Sequence, residues 1–155
     1  MISRYRRPKI EAIWSDQNKF KIWTDIECHI ADQLGNLGAI PKEAAIEIRK
    51  KAKFNVEEII EIEKKTKHDV IAYIENISSY IGESSKYFHH GVTSSDIIDT
   101  CFSIQLKESA EIIINAYKES YFKEKKVGIA SARAGNVIGG GDWSPDRLIP
   151  DTINS

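Results

Sequence analysis

The chain has 155 residues, with 22 Lys+Arg against 23 Asp+Glu and a formal net charge of −1. This length suits one domain, or one domain and a further piece, and can bury a real core. The balanced charge argues against a dedicated nucleic-acid binder, and 41% hydrophobic with 29% charged residues argues against a disordered or membrane-spanning chain. No stretch approaches the roughly 20 apolar residues a bilayer needs. The basic opening Arg4-Tyr5-Arg6-Arg7 has no apolar run after it, so it does not read as a secretory signal. Cys28 and Cys101 make neither a disulfide framework nor a zinc spacing. A reducing, cytoplasmic location and no metal are the expectations.

The first three-quarters reads helical. Ser15 is an N-cap, because its hydroxyl can accept from the free N–H groups of the next turn. Phe20, Trp23, Ile26, Ile30 and Leu34 then recur at spacings of three and four, which puts them on one helical face. Gly35 and Gly38 offer the left-handed conformation that ends a helix. Pro41 suits the first turn of the next helix, where its missing N–H costs nothing. Asn55 with Glu58 is a weaker capping box that opens a helix from Val56 to about Lys65. Val70, Ile71, Ile74 and Ile77 carry the helical period on to Gly82.

Thr93-Ser94-Ser95-Asp96 offers capping oxygens and an early carboxylate that complements the helix dipole. Ile97, Ile98, Cys101, Ile104 and Leu106 follow, and the helical reading runs to about Lys125. So long a helix in so short a chain needs partners to cover it. The character changes near Asn115. Val127 to Arg133 alternates like a short strand. Ala134 to Gly141 holds four of the nine glycines, and Asp142, Ser144 and Pro145 form a turn. No internal repeat or low-complexity tract is present.

Several polar groups could carry chemistry. His68 beside Asp69 suits proton transfer, since an ordinary histidine titrates near working pH. The same pair also reads as an exposed histidine next to a helix-start carboxylate. Thr93 and Ser94 at a helix start make an anion site, or simply a cap. His89 and His90 taken alone read as exposed turn histidines. Arg4 and Tyr5 read as a solvated end.

The ordered series of segments adds a resemblance. Met1-Ile2-Ser3-Arg4-Tyr5-Arg6-Arg7-Pro8, Ala12 to Asp16, Ile40 to Ala44, Lys51 to Phe54, Lys67 to Ala72 and Tyr87 to Thr100 together resemble the N-terminal part of bacterial adenylosuccinate lyases. These are members of the fumarase/aspartase superfamily. The resemblance covers residues 1–115. It implies a mainly α protein: a helical N-terminal domain over residues 1–92 and the start of a long bundle helix over 93–115. It also implies a homo-oligomer, usually a tetramer, whose active sites form where subunits meet. The implied reaction is the β-elimination of fumarate from adenylosuccinate to give AMP, a step of purine biosynthesis that takes a small-molecule nucleotide and no cofactor. A base removes a proton next to a carboxylate, an acid protonates the leaving nitrogen, and fixed donors hold the carboxylates and the phosphate. His68 matches the family's candidate catalytic histidine. Asp69, Thr93, Ser94, Arg4, Tyr5 and the phosphate-side His89 match its substrate contacts. Lys67 stands where arginine is commoner, and keeps the charge without the planar fork. The family's second catalytic histidine and its serine-bearing loop lie beyond the matched region, so the chain alone is expected to be inactive.

Residues 116–155 resemble something else. Ala116 to Phe122, Ala130 to Trp143 and Asp146 to Asp151 are similar to an internal segment of CDP-glucose 4,6-dehydratase, an extended short-chain dehydrogenase/reductase. The chain therefore reads as chimeric, with a strand and loop as its C-terminal appendage. Asn136 and Arg147 are the sugar-nucleotide contacts that this resemblance implies. The glycine-rich turn that receives a dinucleotide is missing from it. Two alternatives to a lyase remain at this point: a fragment binding a sugar nucleotide, and a non-catalytic module that joins lyase oligomers through its long helix.

Overall fold

The computed structural model describes residues 7–125 and 127–128. The chain divides into two units, Met1–Ile113 and Ile114–Ser155. The described residues form six α-helices: α1 (Pro8–Ile13), α2 (Asp16–Asn36), α3 (Lys42–Lys51), α4 (Val56–Thr66), α5 (Asp69–Ile81) and α6 (Ser94–Tyr117). A 3₁₀ segment, Gly82–Tyr87, follows α5, and a π-helical turn, Lys118–Phe122, follows α6. No strand occurs among the described residues. The fold is mainly α, as expected. The strand expected over Val127 to Arg133 lies, beyond Val127 and Gly128, outside the described residues.

Local chemistry sets the ends of the helices. The Ser15 hydroxyl accepts the Asn18 N–H at 3.2 Å, and the Asn55 side chain accepts the Glu58 N–H at 3.0 Å. Pro41 sits one position earlier than expected, as the residue before α3. At α6 the cap is made by the carboxylate rather than the hydroxyls: Asp96 Oδ2 accepts the Thr93 N–H at 2.8 Å. Gly38 and Gly82 end helices at φ 74° and 82°.

Gly35 does not terminate α2. It lies inside the helix and is buried, and a Cβ built there would fall 2.9 Å from Ala45 Cβ. Its missing side chain lets α2 and α3 approach closely. Arg49 on α3 then reaches Asp32 on α2 at 2.6 Å.

The core of the first unit is aromatic at its centre. Phe20 and Trp23 meet edge to face at 5.3 Å, Tyr73 stacks on Phe20 at 5.9 Å, and Phe88 lies 6.1 Å from Tyr73. Such pairs add about 0.5–1.5 kcal/mol each beyond the area they bury. Ile48, Ile59, Ile77, Ile81 and Ile97 close around them. The buried stripe of α2 is rotated from the expected one. Phe20 and Trp23 lie on it, but Ile26, Ile30 and Leu34 are only partly buried, and its line runs through Glu27, Ala31 and Gly35.

Polar bonds tie the helices together. Asn76, buried on α5, accepts the Asn55 N–H at 3.0 Å and donates to Glu58 at 2.6 Å. It thereby completes the capping box whose second half Glu58 does not make. Gln105 and Ser109 are buried on α6; Gln105 donates to the Ile13 carbonyl at 2.8 Å, and the Trp14 indole donates to the Ser109 hydroxyl at 2.9 Å. Cys28 and Cys101 are buried, with free thiols.

Phe102, Leu106 and Ile113 leave a second, exposed apolar stripe on α6. This fits the expectation that so long a helix needs a cover. In the second unit Tyr117 and Tyr121 pack on each other at 5.3 Å across the π-helical turn, and Glu119 pairs with Lys123. No helix among the described residues is long and apolar enough to cross a membrane.

Candidate functional site

The groups expected to carry chemistry sit at helix starts and in the connection before α6. Lys67 closes α4 in the left-handed conformation, φ 53°, and turns the chain sharply into α5. His68 is the N-cap of α5. Its Nδ1 accepts the Ile71 N–H at 3.4 Å, a long bond, and Asp69 Oδ1 lies 3.6 Å from the same nitrogen. With Nδ1 as the acceptor of that bond, the tautomer that fits the cap carries its proton on Nε2. The ring is exposed, and its Nε2–H is free to meet a ligand. Asp69 Oδ1 is engaged by the Val70 N–H at 2.7 Å. An open recess on α4, lined by Ile60, Glu63, Lys64 and Lys67, lies on the chain just before His68.

His89 is placed quite differently. Its backbone is left-handed at φ 58°, and Gly91 follows at φ 75°. Its neighbour Phe88 is buried against Tyr73. His89 Nδ1 lies 2.5 Å from Glu27 Oε1, and the Glu27 side chain is only 1% exposed. Burial raises the Glu27 carboxyl above the ordinary carboxylate range, with the His89 hydrogen bond and charge opposing part of that rise. Burial also holds the Tyr73 hydroxyl well above its usual value, although its bond to Thr24 at 3.1 Å pulls the other way.

Tyr73, one turn and a half beyond His68 on α5, joins the two places. It touches Phe20 and Trp23 on α2 and Phe88 beside His89. Among the described residues no hydrogen bond or ion pair links His68 to His89 or to Thr93. Ser94 opens α6, and Thr93 and Ser94 follow His89 past Gly91. Arg4, Tyr5, Asn136 and Arg147 lie outside the described residues. No cluster of three His, Cys, Asp or Glu side chains that could hold a metal occurs among the described residues.

Glu27 is the member that sequence reasoning missed. The apolar spacing of α2 draws the eye to Ile26 and Ile30. The available signal was a carboxylate four residues after Trp23, on the continuation of the Phe20–Trp23 face.

Comparison with known proteins bears on the whole arrangement. The chain is 41% identical over 114 residues to adenylosuccinate lyase of Synechocystis sp. and 42% identical over 114 residues to that of Bacillus subtilis. Each match takes in 74% of this chain and 26% of the relative. Over that stretch this chain is adenylosuccinate lyase-like. The Thermotoga maritima adenylosuccinate lyase extends the match to 119 residues at 40% identity, or 77% of this chain and 28% of the relative. A crystal structure of a fumarate lyase from Mesorhizobium sp. BNC1 superposes with a TM-score of 0.64 at 25% identity, over 74% of this chain and 28% of that one. No protein-family model matches the chain. The lyase-like chain thus spans about a quarter of the length of the curated relatives it matches. Its helical fold is that of the fumarate lyase type.

Proposed function

We propose that the lyase-like stretch is a working part of a C–N lyase that eliminates fumarate from adenylosuccinate. The observation that carries this reading is 40–42% identity to adenylosuccinate lyases over 113 to 119 residues. The geometry supports roles for particular side chains. His68 offers an exposed ring at a helix start; to protonate a leaving nitrogen from Nε2 it must also carry a proton on Nδ1, where Asp69 stands 3.6 Å away, and so give up the long Ile71 cap. Lys67 and Asp69 flank it, and Thr93, Ser94 and His89 supply donors for carboxylate and phosphate oxygens. Arg4 and Tyr5 belong to the same phosphate grip in this reading. The exposed stripe Phe102, Leu106 and Ile113 favours assembly into a homo-oligomer, in which other chains complete the site. The residues after about 115 are the dehydratase-like appendage in this reading.

The test is a graft. Residues 1–113 replace the matching quarter of the Bacillus subtilis relative, and fumarate release is followed from adenylosuccinate. The graft should turn over, and H68A within it should lose about 10²–10⁴-fold, the usual worth of a positioned acid or base. A folded but inactive graft refutes the reading. The chain by itself should release no fumarate.

A further inference from the structure

The Glu27–His89 pair is unexplained by packing alone. A fully buried carboxyl group on the core-facing stripe of α2 is costly unless it is paired, and an apolar side chain would serve that position better. Glu27 Oε1 meets His89 Nδ1 at 2.5 Å, while its other oxygen, Oε2, is buried and has no partner. His89 in turn holds a left-handed backbone, which is uncommon outside glycine. The groups facing Glu27 are few: His89 itself, the buried Tyr73, and Cys28 beside it on α2. Apart from His89, none of these is a basic side chain that could neutralise it. A buried carboxyl group and a left-handed histidine are thus joined in one contact.

We propose that Glu27 is the positioning residue of His89, binding Nδ1 so that Nε2–H is presented as a donor to an anionic group of the phosphate class. One proton lies between the carboxylate and Nδ1. A neutral ring with its proton on Nδ1 would leave Nε2 bare, so Nε2 donates when the ring carries both protons, the form that a carboxylate partner and an anionic ligand both favour. A doubly protonated ring and an ionised carboxylate make a neutral pair, which makes the burial of Glu27 tolerable, and the donor end is the partly exposed ring of His89, 18% accessible. This inference rests on the reading of His89 as a phosphate-side group and adds the residue that orients it.

The test uses the full chain with ¹⁵N-labelled histidine. In the wild type, NMR should show His89 with a downfield, exchange-protected Nδ1–H and a proton on Nε2, and inorganic phosphate should shift the ring resonances. E27Q keeps the size of the side chain and removes its charge; it should weaken that phosphate response about tenfold, in line with a charge-assisted hydrogen bond. E27A should abolish the protected Nδ1–H. Far-UV circular dichroism checks that both variants fold, and E27Q serves if E27A does not. A wild-type ring without the protected proton overturns the proposal, as does a phosphate response that E27Q leaves unchanged. A ring that is paired but ignores phosphate overturns its anion-donor half. These results do not depend on turnover, so they separate the pair from the lyase reading, which the graft decides.

Discussion

Replacing Gly35 by alanine sets two opposed effects against each other. Gly→Ala inside a helix ordinarily stabilises by about 0.8–1 kcal/mol, because alanine leaves less backbone freedom to lose. Here the new Cβ would stand 2.9 Å from Ala45 Cβ and 3.7 Å from Lys42 Cα. Neither atom is the end of a flexible side chain, so α3 itself must move, and overpacking of this kind costs about 1–3 kcal/mol. The second effect should win, with a net loss of up to about 2 kcal/mol. Urea denaturation measures it directly, and the melting temperature should fall by a few degrees, at about 2–4 °C per kcal/mol for a chain of this size. The double variant G35A/A45G moves the methyl across the interface and should show a favourable coupling of about 1 kcal/mol or more. A G35A protein about 1 kcal/mol more stable than wild type would refute the reasoning, since propensity alone would then decide.

Other contacts in the fold set further outcomes. Asn76→Ala strips the Asn55 N–H of its acceptor and Glu58 of a donor, and should cost about 2 kcal/mol in urea unfolding; N76D should cost more, by placing a second carboxylate against Glu58. Trp14→Phe removes the indole donor to Ser109 and should cost about 1 kcal/mol, with hydrogen exchange of α1 amides rising; S109A should add nothing in that background. The Glu27 carboxyl is raised in the folded chain above its ordinary value of 4.5. The folded state therefore keeps a proton that the unfolded state has released, and stability should fall as pH climbs from that ordinary value through the folded one. E27Q should flatten that limb of a urea-midpoint series against pH, and an unchanged slope would remove Glu27 as its source.

Much of the fold was legible because its signals are local. The Ser15 and Asn55 caps act over three residues, and the apolar period over α5 ends at Gly82 in sequence as in space. The failures occur where tertiary contact overrides a local rule. Gly35 looks like a helix terminator until Ala45 is set beside it, and nothing near either residue announces the other. Asp96 takes the capping role that Thr93 and Ser94 advertise, because a carboxylate at the third position can reach back. Within the candidate site, His68 and Thr93 were singled out by their place at helix starts and by segment resemblance. Glu27 was not found, since its partner lies 62 residues away and a buried acid contradicts the binary pattern around it.

The two sheltered thiols have a consequence of their own. Burial pushes Cys28 up to about 11 and raises Cys101 as well, and alkylating reagents attack the thiolate alone. In the closed protein both sulfurs should therefore be inert, and each should react only when its surroundings open. One lies on α2 and the other on α6, so the pair acts as a built-in stopwatch with two hands. Equal modification rates would mean that the helices come apart together. A faster Cys101 would mean that α6 peels away from a bundle that otherwise stays shut, and the chain would report the order of its own unfolding without any added label.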